Sequence, residues 1–426
     1  MSTTKKRDTI VIPASSWRKD DTVWMLSLYG TAIGAGVLFL PINAGIGGLV
    51  PLIIMAIIAF PMTYFSHRAL CRFVLSGKKD GEDITEVVEE HFGTGMGKLI
   101  TMLYFFSIYP ILLVYGVAIT NTVDSFITHQ LNLLSPPRAV LSLVLILNLM
   151  FIVRFGEAMI IKAMSILVYP FVIVLMLLAL YLIPHWNLAI FDNISFTNSA
   201  TGNGLLPTLW LAIPVMVFSF NHSPIISSFA VAKRKEYGED AEPRCSRILS
   251  YSHTMIVLTV MFFVFSCVLS LTPIELMEAK IQNISILSYL ANYFHNPVMT
   301  YLAPVIATIA LSKSFLGHYL GAGEGFNGMV IKSLRSSGKT IEHKKLNRIT
   351  TLFMLVTTWI VATLNPSILG MMETLGGPVI ACLLFLMPMY AIQKVPAMKK
   401  YSGQASNVFI TLMGLIATTA IIYSLH

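Results

Sequence analysis

Along most of the chain apolar residues come in long runs separated by short polar stretches, and eleven of these runs have about the 17 to 25 residues that a bilayer-spanning helix needs. They lie near 23–42, 46–70, 98–128, 138–153, 161–183, 205–231, 250–271, 298–320, 347–364, 368–392 and 405–424. The third is long enough to tilt, and the fourth is the shortest. Two of the eleven are written against the helix they predict. In the first, residues 30–41 (GTAIGAGVLFLP) bring Gly30, Gly34 and Gly36 close together, and each glycine costs a helix interior about 1 kcal/mol relative to alanine. In the sixth, Pro214 and Pro224 bracket Ser219, Phe220, Asn221, His222 and Ser223. Proline removes a backbone donor and pushes the residue before it out of the helical region.

Taken alone, the three glycines also suit a close-packing face, because small residues four apart let membrane helices approach. The second interruption changes that balance. Breaks in the first and sixth runs, each followed by four more runs, are the pattern of a five-plus-five inverted repeat. In hydrocarbon, unwound backbone is tolerated only where it is buried in protein or lines a cavity. Amides at a half-helix N-terminus attract a carboxylate and freed carbonyls attract a cation, so a zwitterionic amino acid is the ligand class that matches both. The divisions predicted are a tail at 1–22, a first repeat at 23–183, an extracytoplasmic loop at 184–204, a second repeat at 205–392, and an extra C-terminal helix with its short cytoplasmic connection at 393–426.

Composition agrees with a polytopic all-α membrane protein: of 426 residues, 55% are hydrophobic and only 12% charged, which leaves no soluble domain of any size. The polar, basic opening (Lys5, Lys6, Arg7, Arg18, Lys19) leads into an uncleaved first span rather than a signal peptide. The net charge of +8 is a topology signal, not a nucleic-acid footprint. Lys and Arg crowd alternate connections, at the N-terminus, 68–79, Arg154 with Lys162, 233–247, 332–348 and 394–400, while the intervening loops hold only Arg138 and Lys280. The N-terminus is therefore expected in the cytoplasm, and an odd number of spans puts His426 on the periplasmic side.

Cys71, Cys245, Cys267 and Cys382 are scattered without a CxxC pair, and no HExxH occurs, so neither a disulfide framework, a metal site nor an enzyme centre is expected. A channel would need a continuous polar lining or ring of charges, whereas polar residues here gather at two breaks. The glycine-rich run at 321–328 (GAGEGFNG) lacks a preceding strand and a following Lys-Ser/Thr, so it is no phosphate loop; it reads as a flexible cytoplasmic end of the eighth span. The sequons at Asn193 and Asn283 are short enough to arise by chance.

Within the second interruption, Ser219, Asn221 and Ser223 offer hydrogen-bonding groups to a substrate, and His222 adds a titratable ring. Gly30, Thr31, Gly34, Ala35, Gly36 and Phe220 complete the candidate binding residues. Lys313, between Ser312 and Ser314 in the eighth run, is an intramembrane charge, which marks function by default; the alternative is a lysine paired with carbonyls or reaching for the cytoplasmic edge. Glu373 is a candidate outer gate or an interhelical partner. Tyr109 and Tyr115 are candidate substrate contacts or packing residues, Asp124, His67 and Arg68 read as interface residues, and His318 as a cytoplasmic-end residue.

The runs WMLSLYGTAIGAGVLFLPINAG, GEDITEVVEEHFG, FSFNHSPIISSFAVAKR, KSFLGHYLGAGEGFNGMVIKSLR and TLNPSILGMMETLGGP resemble the bacterial hydroxy and aromatic amino acid permeases nearly end to end. The resemblance implies a LeuT/APC-like arrangement in the inner membrane and a proton-coupled importer with no cofactor beyond the driving ion H+. It also implies L-serine as substrate, with threonine weaker; another amino acid of the family, or an amino-acid sensor on a transporter fold, is the alternative. In sodium-coupled relatives of this architecture, hydroxyls of the eighth span hold a cation beside the broken first span. A lysine ammonium there could stand in for the ion and gate the site by losing its proton. No nucleic acid is expected as a partner, only the amino acid, protons and membrane lipid.

Overall fold

The computed structural model describes residues 17–79, 81, 83–153, 157–187, 189–191, 204–294, 296–336 and 338–424. Lys5, Lys6, Arg7, Arg154, His426 and the Asn193 sequon lie outside the described residues. Among those described, regular structure is helical: α1 Lys19–Ala32, α2 Leu40–Ile46, α3 Leu49–Val74, α4 Ile84–Ser125, α5 Arg138–Val153, α6 Glu157–Leu182, α7 Leu205–Ser219, α8 Ser223–Tyr237, α9 Ala241–Leu269, α10 Pro273–Ile281, α11 Ile286–Tyr293, α12 Ala303–Ser336, α13 His343–Leu364, α14 Ile368–Lys394 and α15 Ala405–Ser424. Eight helices are long and apolar enough to cross a membrane, and the bent pair around residues 33–34 makes a ninth. Two shorter apolar helices, α5 and α7, stand where the fourth and sixth runs lie.

The apolar runs mark the hydrocarbon, not the ends of the helices. Helix α4 covers 42 residues in two parts, more than a single straight crossing of the hydrocarbon needs. Its first two turns, opened by a capping box between Asp83 and Glu86, meet the spanning part at Gly93, whose φ of 83° only glycine adopts readily. Helix α12 shows the same excess, and here one expectation is corrected. The glycine-rich segment 321–328 is not a flexible end but part of an unbroken helix that continues to Ser336. A Cβ on Gly325 would stand 3.2 Å from the Phe105 backbone, and one on Gly321 would stand 3.3 Å from Ile108. The glycines form a stripe at helical spacing that lets α4 and α12 pack nearly backbone to backbone.

Polar residues collect at the two ends of the bundle. At one end Lys233 of α8 donates to Asp20 (2.7 Å), Asp21 (2.9 Å) and Glu236 (2.7 Å), and Tyr237 donates to both Asp21 oxygens at 3.0 Å. Arg72 of α3 pairs with Glu242 of α9 at 2.6 Å, and Lys332 of α12 with Glu89 of α4 at 2.7 Å. This is the end where the basic connections gather. The opposite end carries two short helices, α10 and α11, which no apolar run announced. They are opened by Thr272, in a capping box with Glu275, and by Ser285. Asn283 lies between them with its side-chain amide donated to Asn365 Oδ1 and the Pro366 carbonyl, both at 2.9 Å, so that sequon is part of the packing.

Candidate functional site

Both interruptions are open backbone, as the glycines and prolines require. Helix α1 ends at Ala32; Ile33 leaves the helical region and Gly34 is extended, one 3₁₀ turn covers Ala35–Leu38, and the two halves are bent by 44°. The sixth span stops at Ser219 and restarts at Ser223, leaving Phe220, Asn221 and His222 between α7 and α8. Pro224 falls in the first turn of α8, where its missing N–H costs nothing. Pro214 is inside α7 and does not end it. The two breaks touch. Ser219 Oγ donates to the Gly36 carbonyl at 3.1 Å, and a Cβ on Gly36 would lie 3.1 Å from Ser219 Cα.

Helix α12 closes the first break from the other side. Lys313 Nζ donates to the Gly30 carbonyl at 3.0 Å and to the Ile33 carbonyl at 3.4 Å, while Ser314 Oγ accepts the Ala35 N–H at 3.0 Å. The ammonium also lies 5.7 Å from the centre of the Phe171 ring. Lys313 is only 4% exposed and sits on the carbonyls that the break sets free, so the edge-seeking alternative is ruled out.

A cavity of about 470 Å³ opens between the breaks. Its wall includes Gly30, Thr31, Gly34 and Gly36 of the first break, Ser219, Asn221 and His222 of the second, and Lys313 and Ser314 of α12. It runs past Trp24, Ser27, Tyr104 and Glu324 toward the basic end of the bundle. Ala35, Phe220 and Ser223 are buried beside it and do not line it. Three polar atoms at the second break are buried with no protein partner: Asn221 Nδ2, His222 Nε2 and Ser223 Oγ. Buried polar groups are nearly always bonded, so these orphans set the second break apart; of the three residues, Asn221 and His222 line the cavity.

Other candidates fall in different places. Tyr115 lines the cavity, edge-on to His318 at 5.2 Å, whereas Tyr109 is a packing residue stacked on Phe105 and Phe353. His318 is not a cytoplasmic-end residue: it faces the cavity, its ring bonded to the Ser314 carbonyl at 2.7 Å, because α12 continues well beyond it. His67 is not an interface residue either. It is 1% exposed and stacked on His222 with ring centres 3.8 Å apart. Asp124 accepts from Ser135, and Arg68 lies over the Tyr64 and Phe65 rings. Glu373 does not line the cavity; it lies in a π-turn of α14, where it accepts from Asn43 at 3.3 Å and pairs with Lys280 of α10 at 3.5 Å. It ties three elements together at the end opposite the cavity mouth.

Two discontinuous spans crossing at a buried cavity, with a lysine on the freed carbonyls of one, define a secondary transporter of the broken-helix type. Solved structures agree on the fold: MhsT in complex with L-phenylalanine aligns with a TM-score of 0.53 at 15% identity, over 94% of this chain and 97% of that one. A manganese transporter mutant from Eremococcus coleocola aligns at 0.63 and 12% identity, over 96% and 88%. Residues 22–423 match the model of the tryptophan/tyrosine permease family, and the chain belongs to that family. It is 77% identical over 412 residues to the serine transporter SdaC of Escherichia coli (strain K12), covering 96% of each chain, and 76% identical to SdaC of Shigella flexneri. The chain is a multi-pass membrane protein.

Proposed function

We propose that this chain imports L-serine, with threonine as a weaker substrate, by proton symport and alternating access across the bacterial inner membrane, N-terminus in the cytoplasm and C-terminus in the periplasm. The observation that carries the reading is the unpartnered Asn221 amide beside a cavity between two unwound helices. A small hydroxylated amino acid in that cavity would meet the Asn221 amide, and the likeness to transporters named for serine points to the same substrate. Coupling to protons uses two of the titratable side chains in the cavity wall, His222 and Lys313. Loss of the Lys313 proton would release the Gly30 and Ile33 carbonyls and free the first half of the broken span. With the cavity open toward the basic end and Glu373, Lys280 and Asn43 joined at the other, the conformation fits an inward-open state.

Selectivity has physical bounds. Threonine adds one methyl group, which a snug pocket rejects by only about 1 to 3 kcal/mol, whereas alanine leaves unpaired any group committed to the serine hydroxyl and is discriminated more strongly. Uptake of labelled L-serine into sodium-free proteoliposomes, with and without an inward proton gradient, tests the reading. Accumulation that needs the gradient and yields to unlabelled serine, and weakly to threonine, is expected. Absence of serine uptake, or strong competition by tyrosine, would overturn the substrate. In the same vesicles Asn221→Ala should weaken apparent serine affinity about tenfold, the loss of one hydrogen bond to a charged or buried group. An unchanged affinity would move the substrate away from the α7–α8 break.

A further inference from the structure

Three histidines that belong to different helices meet behind the second break. His67 of α3, His222 at the start of α8 and His253 of α9 are 1%, 1% and 0% exposed, and one ring nitrogen from each lies within 4.8 Å of the others. His67 Nδ1 is bonded to the Thr63 carbonyl (2.7 Å), His222 Nδ1 to the Phe220 carbonyl (2.9 Å) and His253 Nδ1 to the Leu249 carbonyl (2.6 Å). A carbonyl only accepts, so each ring carries its proton on Nδ1 and turns a bare Nε2 inward. His67 Nε2 accepts the His222 backbone N–H at 3.3 Å. The other two, His222 Nε2 and His253 Nε2, are buried and unpartnered.

The arrangement suits a proton and not a single metal ion. The His67 and His222 rings are parallel to within 6° at 3.8 Å, so an ion in the plane of one ring is out of the plane of the other. One added proton would give the cluster an N–H donor among three ring nitrogens that lie within 4.8 Å of one another, two of them unpartnered. His222 lines the cavity and gives that proton a way in from water.

We propose that His67, His222 and His253 together form the binding site of the coupled proton, entered through His222 and held between the Nε2 atoms of the cluster; this rests on the proton-symport reading above. Among the described residues no carboxylate joins the three rings. From α3 the cluster is faced by Tyr64, whose ring is 6.0 Å from His253 and whose hydroxyl donates to the Ser246 carbonyl. Arg68 lies on the Tyr64 ring, Arg72 is paired with Glu242 of α9, and Cys71 and Cys245 are buried further along these two helices. From the cavity side comes Lys313. Two positive charges on the wall of one cavity repel, so a proton arriving at the cluster favours release of the Lys313 ammonium from the Gly30 and Ile33 carbonyls. Because the His222 N–H is bonded to His67, the proton also acts directly on the backbone of the break that holds the substrate.

The full-length protein in proteoliposomes loaded with a trapped pH indicator tests this, by reading protons entering per labelled serine entering down its concentration gradient. The expected results are a constant ratio in the native protein, a ratio at least fivefold lower in His253→Gln, and the same fall in His67→Gln, whose amide oxygen can still accept the His222 N–H. Ser252→Ala, one residue away on α9, should keep the native ratio. A native ratio in both histidine variants overturns the cluster while leaving symport standing. An equal fall in Ser252→Ala overturns it too, by showing that packing of α9 is what matters. Serine entry without any proton entry in the native protein removes the symport reading, and the cluster with it.

Discussion

Lys313→Ala should leave a folded protein that no longer accumulates serine against a gradient, with gradient-driven uptake at least tenfold below native. The ammonium is the cationic partner of the Gly30 and Ile33 carbonyls, and without it two buried acceptors lose their donor, at a cost of about 1 to 3 kcal/mol each. That cost falls on the conformation shown here, in which α12 and the first break are joined, so alanine biases the protein toward whichever state hydrates those carbonyls. Lys313→Arg separates charge from proton release. A guanidinium keeps a positive charge on the carbonyls but does not give up its proton, so it too should lose accumulation if release drives the cycle. Gradient-driven uptake in proteoliposomes reads both variants. Native accumulation in Lys313→Ala would remove this residue from the mechanism, and native accumulation in Lys313→Arg would leave it a fixed clamp.

The location of Lys313 was readable in advance because a charge inside an apolar run is costly and must find a partner. The breaks were readable for a similar reason: Gly34 and Asn221 interrupt runs that hydrocarbon would otherwise require to be helical. Other features depend on where helices end and whom they meet, and run length does not report that. His67 stands near the end of its run and read as a boundary residue, yet α3 continues to Val74 and buries it against two residues 155 and 186 positions away in the chain. His318 was misplaced because α12 runs on to Ser336, carried by a glycine stripe that serves packing and mimics a loop in composition. The short helices α10 and α11 escaped because their apolar stretches are far below spanning length. Even there, Thr272 three residues before Glu275 was a capping signature that could have been found.

The largest effect on stability is expected at the basic end. Lys233 and Asp21 are both fully buried, and Lys233→Ala would leave the Asp21 carboxylate with the Tyr237 hydroxyl, the Arg18 backbone N–H at 3.0 Å and a longer contact to Arg244 at 3.5 Å, none of which replaces the lost ammonium. Removing one member of a buried pair costs about 3 to 5 kcal/mol. Asp20 and Glu236 soften little of this, since Asp20 is half exposed and returns to water while Glu236 keeps Arg18 at 3.1 Å. The thermal midpoint of the purified protein in detergent should fall on the order of 5 °C or more. Lys233→Met combined with Asp21→Asn should recover much of the loss, because apolar or neutral replacement of a whole buried pair is often close to neutral. Transport is the more telling readout. This network fastens the first half of the broken span to α8 and α9, on the rim where the cavity opens, so the double variant should regain its midpoint without regaining native uptake. Full recovery of both would make the network a stabilising contact alone, with no part in moving the first half of the broken span.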